Sequence, residues 1–240
     1  MLISAFPRRF AASMTILLCA CALSPNAPSS LDIAGLPTVD FVYPVPAGPV
    51  FDRVCPTWMN RPQVTDAQRE EVIRRLPEFR AAWSDVGLRY VKMVVAATGK
   101  PYPYRDMQAT LSVCAPDSMA MPLIISLEEL MSTNTKPYAH DFALLTFHEL
   151  MHHFAMPIEQ TSPLIAKYKS EPGDIRSHLH VVALERYVLE KSGKLEQLAK
   201  LKEYYRNLPR NSYARAWEII DIETPQAFVD DLRDTPRPPK

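Results

Sequence analysis

Apolar positions along this chain recur mainly at helical spacing, with two short stretches where they alternate or run together. Thr65 and Gln68 form a capping box, a hydroxyl cap answered by an amide three residues on, and a helical pattern follows through Trp83 in spite of Pro77. A second helix is predicted over 85–97, stopped by Gly99. Residues 108–113, QATLSV, alternate as a strand does, and 123–126, LIIS, form an apolar run short enough to be another. No proline interrupts 139–155, which reads as a long buried helix. Further helices are predicted over 172–191, 195–207, 213–220 and 225–232, the last opened by Thr224 and Pro225.

The N-terminal part has a different texture. Arg8 and Arg9 precede an apolar stretch over 11–23 and then a Pro- and Ser-rich segment, the layout of an export signal. That stretch is shorter than the roughly 20 residues a permanent transmembrane helix needs, and no later apolar stretch is longer without charges. Two processing patterns overlap. Ala20-Cys21-Ala22 fits a small-x-small cleavage site, and Leu18-Cys19-Ala20-Cys21 resembles a bacterial lipobox, in which Cys21 would be acylated. The expected product is therefore periplasmic, secreted or a cell-envelope lipoprotein. The division expected is a signal over 1–22, a proline-rich extended segment over 23–63 lying as a tether or strap, and one domain over 64–235. A domain of that size can bury a single core, and the element pattern makes it α+β and mostly helical.

Charge narrows the partners. Basic and acidic side chains balance at 27 each, and loss of Arg8 and Arg9 with the signal leaves 25 against 27, which argues against nucleic acid as a partner. Processing would also leave Cys55 and Cys114, which are expected to pair in an oxidising compartment. Closing a loop of about 60 residues would add roughly 4 kcal/mol in the loop-entropy model.

The chemistry concentrates in LLTFHELMHHF, residues 144–154. His148 and His152 stand one helical turn apart on one face, so their imidazoles can grip one metal ion. Glu149 projects about 100° round the helix, clear of the metal yet within reach of a water beside it. This is the HExxH pattern, and here the stretch resembles the zincin metallopeptidases. The resemblance implies a zincin-like single domain with a small sheet and the motif on its active-site helix. It also implies zinc on His148 and His152, Glu149 as general base, and a peptide or protein substrate lying extended along a strand edge, for which 108–113 and 123–126 are candidates.

A catalytic zinc usually takes three protein ligands. The metzincin branch would need a third histidine at position 158, which is Ile158, so that branch is excluded. The gluzincin branch takes a glutamate about 19 residues beyond the second histidine, where Glu171 stands. If the helical phase runs back to the cap, Glu171, Asp174, His178 and Glu185 share one polar stripe, with His180 on another side. Glu171 is the expected third ligand, with His178 and then Glu185 as its competitors. With Glu171 on the metal, His178 would become a catalytic donor or a partner of a ligand. His153 is expected at the surface or beside a ligand. Tyr213 and Arg215 are candidates to stabilise an anionic intermediate, and His140 and Ser118 carry no signal of their own.

Three functions remain open on this reading. The first is a zinc-dependent peptidase, the second a non-catalytic zincin-like envelope or binding protein whose metal is structural or lost, and the third a metal-dependent amidase acting on cell-wall material. Glu149 favours the first over the second, because a structural site has no use for a carboxylate beside its ligand.

Overall fold

The computed structural model describes residues 35–44, 48–58, 60–128, 139–209 and 211–238. The expected signal and the candidate acylation site at Cys21 lie outside the described residues. No helix among the described residues is long and apolar enough to cross a membrane.

The chain segment expected as a strap carries regular structure from Thr38 onward. Thr38–Val42 forms strand β1 and Val50–Trp58 forms helix α1. Buried Phe41 anchors the strand, and buried Asp52 anchors the helix. Asp52 accepts hydrogen bonds from Tyr43 Oη (2.7 Å), Ser112 Oγ (2.6 Å) and the backbone N–H groups of Val113 and Cys114. A carboxylate with that many donors ties α1 to the end of the central strand. Cys55 and Cys114 meet at the same place with Cα atoms 6.1 Å apart, inside the window a disulfide spans. Proline density hid these elements, because a five-residue strand offers too few positions to show a period.

Helix α2, Asp66–Ala82, starts at the predicted capping box, with Thr65 Oγ1 accepting from Gln68 N and Gln68 Oε1 accepting from Thr65 N. Helix α3, Leu88–Thr98, follows without a gap, since the predicted break is filled by a π-turn over Trp83–Gly87. Gly87 makes room for it: a Cβ there would stand 2.0 Å from a Trp83 ring carbon. Gly99 stops the rod in the left-handed region, φ 66°, as expected.

Strand β2, Asp106–Ser112, pairs in parallel with β1 on one side and with β3, Ile124–Ser126, on the other. Helix α4, Ala139–Glu159, carries the HExxH stretch through the middle of the main core, where Phe142 stacks on Phe79 and touches Phe41. Tyr102 Oη donates to the Leu150 carbonyl and fixes α4 against the chain entering β2. Then come α5 (Pro163–Lys167), α6 (Gly173–Lys191), α7 (Leu195–Asn207), α8 (Ser212–Glu223) and α9 (Pro225–Asp234). The architecture is α+β and mostly helical with a small parallel sheet.

Helix α6 joins two apolar layers. Its Val181 and Val188 enter the core around α4, and Leu179, Val182 and Ala183 pack with Trp217, Ile220 and Phe228 of α8 and α9. The stripe through 178, 181, 185 and 188 therefore faces the motif helix. That orientation decides the site.

Candidate metal centre

His148, His152 and His178 converge, with one ring nitrogen from each lying within 4.8 Å of the others. The rings sit 4.9 to 5.6 Å apart, centroid to centroid. Two come from successive turns of α4 and the third from the second turn of α6. The third member is thus His178, and the expectation of Glu171 is corrected.

The reason is local. Pro172 caps α6 with ψ 152°, outside the helical region, so the helical phase does not run back to Glu171. Glu171 leaves the stripe and takes the Arg215 guanidinium, 2.7 Å and 3.1 Å from its Oε1. Arg215 also pairs with Glu218, so it is a surface tie between α8 and the chain before α6.

Glu185, a weaker ligand candidate in sequence, stands behind His148 and is 1% exposed. Its Oε1 is 3.2 Å from His148 Nδ1, and its Oε2 accepts from Tyr205 Oη at 2.7 Å. A carboxylate on Nδ1 places the ring proton there and turns Nε2 outward as a lone pair. His148 Nε2 is buried and has no hydrogen-bond partner among the described residues. His178 is set the same way, with Nδ1 2.5 Å from the Asp174 carbonyl. These nitrogens fit a metal ion: three imidazole donors suit zinc, and a buried lone pair without a proton donor is what a ligand offers. Glu185→Gln, which removes the charge behind His148, is expected to weaken zinc binding about ten- to hundredfold in a competition titration.

Two of the three imidazoles are held neutral, as metal ligands must be. Burial and the neighbouring imidazoles push His152 down to about 2, and burial and His148 push His178 down to about 4, so both are neutral over the physiological range. Burial opposes a charge on His148, but Glu185 and Glu149 outweigh it and raise the imidazole above its ordinary value.

Glu149 lines a cleft beside the histidines, and no described residue hydrogen-bonds its carboxylate. Burial pushes its carboxyl up to about 7, against the pull of His148 and with help from Glu185 and Asp117. The cleft encloses about 680 Å³, within the range of a ligand pocket. It is walled by Pro116–Met121, by His152, Met156 and Glu159 of α4, by His178, and by Leu208, Pro209 and Tyr213. The Tyr213 ring lies 4.4 Å from that of His178 and stacks on Tyr205 at 4.7 Å.

Three other expectations change. His153 is not at the surface; it is buried, and its Nε2 is 2.7 Å from the Ala120 carbonyl, pinning the cleft wall to α4. Strand β2 lies between β1 and β3, paired with β1 over 106–110 and with β3 over 110–112, and the outer side of β3 is already taken: Ile124 exchanges backbone bonds with Met119, and Ser126 N donates to Ser118 Oγ. The segment 116–121, and not a bare strand edge, therefore faces the cleft. His140 lies in α4, outside the described side chains.

No family model matches this chain, and no curated protein or solved structure matches it.

Proposed function

We propose that this protein is an exported zinc-dependent hydrolase, most concretely a metallopeptidase. The observation that carries the reading is Glu149, a buried carboxylate with no described hydrogen-bond partner, lining a cleft next to three converging imidazoles. A structural metal would need the imidazoles alone. Zinc held by His148, His152 and His178 would supply a Lewis acid toward a substrate carbonyl and would acidify a water.

The chain's own residues do the rest. Glu149 takes the proton of the attacking water on its carboxylate and returns it to the leaving nitrogen, which requires a base poised near neutrality. Tyr213, which lines the cleft beside His178, donates a hydrogen bond from its hydroxyl to the carbonyl oxygen as negative charge develops on it. Glu185 and the Asp174 carbonyl keep His148 and His178 in the tautomer that presents Nε2. Export is supported by Cys55 and Cys114, which lie at disulfide distance.

Elemental analysis of the purified mature chain, run beside hydrolysis of a quenched-fluorescence peptide library, tests the reading. About one zinc per chain and cleavage that is lost on chelation and restored by zinc are the expected results. Zinc binding without cleavage of any peptide would return the site to a structural role.

A further inference from the structure

The metal-site cleft follows α4 beyond the histidines. Glu159 is seven residues past His152, which brings it back to within about 20° of the same helical stripe and about 10 Å further along the axis. Met156 lies between them on that stripe, and all three side chains line the cleft. Glu159 Oε1 is buried, with no hydrogen-bond partner among the described residues. A carboxylate without a partner in the chain, on a residue lining a cleft, is open to a donor from outside, a water or a ligand group. Burial alone pushes the Glu159 carboxyl up to about 7.

The surroundings say what kind of donor. Asp117 and Glu149 line the same cleft, and its cation, Arg61, is paired with Glu128 at 2.5 Å. Met119, Met156 and Leu208 add apolar walls that accept the methylene stem of a long side chain. An ammonium or guanidinium is the group that satisfies these conditions together. An extended peptide advances about 3.3 Å per residue, so about 10 Å corresponds to about three residues, or fewer if the cation sits on a long side chain.

We infer that Glu159 is a specificity-determining residue that selects peptides carrying a cationic group, a lysine or arginine side chain or a free amino terminus, within about three residues of the bond held at the histidines. This inference rests on the proposed peptidase reading for the identity of the ligand as a peptide. Binding is read from the anisotropy on mixing, before cleavage accumulates, so the two can fail separately.

The test uses the zinc-loaded mature chain and fluorescein-labelled heptapeptides that are identical except for lysine, glutamine or glutamate at each position in turn. The peptides are acetylated, with a free-amino-terminus version of the glutamine peptide as a further arm. Fluorescence anisotropy should show the lysine peptide at one position, or the free-amine peptide, bound at least about tenfold more tightly than the acetylated glutamine peptide. In Glu159→Gln that advantage should vanish while affinity for the acetylated glutamine peptide stays the same and thermal melting shows a folded chain.

Equal binding of all peptides by the wild type, an advantage that survives in Glu159→Gln, or no binding of any peptide would each overturn the inference. The same peptides scored for cleavage separate the two readings. Charge-selective binding with no zinc-dependent cleavage removes the hydrolase and keeps the role of Glu159. Cleavage without charge selection keeps the hydrolase and removes that role.

Discussion

Replacing His178 by alanine is expected to weaken zinc binding by about a hundredfold or more, whereas Glu171→Ala should leave it unchanged. Zinc in a four-ligand site is held by about 10–16 kcal/mol, so one ligand carries about 3 kcal/mol, which is the hundredfold. His178 joins His148 and His152 with its nitrogen within 4.8 Å of theirs. Glu171 is committed to Arg215. Titration of each variant with zinc against a chromophoric chelator reads the difference directly. An unchanged affinity in His178→Ala would remove α6 from the site. Acid should release the metal through His148 first, because its imidazole is raised above its ordinary value while His152 and His178 are held at about 2 and about 4. The raised group takes up its proton at the higher pH, so affinity falls as pH drops through its range while the other two ligands are still neutral.

The second large effect is expected from Glu149→Gln, which should keep zinc and lose about 10²–10⁴-fold in kcat. Glutamine has nearly the same shape and cannot take a proton. The carboxyl is 6% exposed and has no described hydrogen-bond partner, so the exchange removes a base and a charge beside His148 without breaking a described hydrogen bond. Folding should accordingly be preserved or slightly improved, since a buried carboxyl held up at about 7 is an unfavourable charge above that pH. Metal content, melting temperature and turnover of one cleaved peptide check the three parts together. Full turnover in the variant would end the proposed role of Glu149.

Helices with a strong apolar period and a capping signal were legible one by one. The box at Thr65, the stop at Gly99 and the start at Thr224 all lie where local hydrogen-bonding chemistry puts them. The elements that escaped have little local signal: β1 has five residues, α5 has five, and α1 sits among prolines. The π-turn at Trp83–Gly87 depends on a ring lying over a glycine, which no spacing rule contains.

The site divides along the same line. A turn of helix separates His148 from His152, so their shared face was written in the sequence, as was Glu149 beside them. The third histidine required knowing how α6 lies on α4. Stripe arithmetic placed Glu171, His178 and Glu185 together and could not order them. Packing ordered them: Val181 and Val188 turn the stripe toward α4, His178 comes to the metal side, and Glu185 comes to the back of His148. The extended backbone at Pro172 carries Glu171 away to Arg215. The sequence by itself thus determined the motif and the helices, because those depend on contacts within a few residues. Only the tertiary structure decided the third imidazole, the carboxylate behind the first and the course of the cleft, because these depend on how separate elements are pressed together around a shared apolar core.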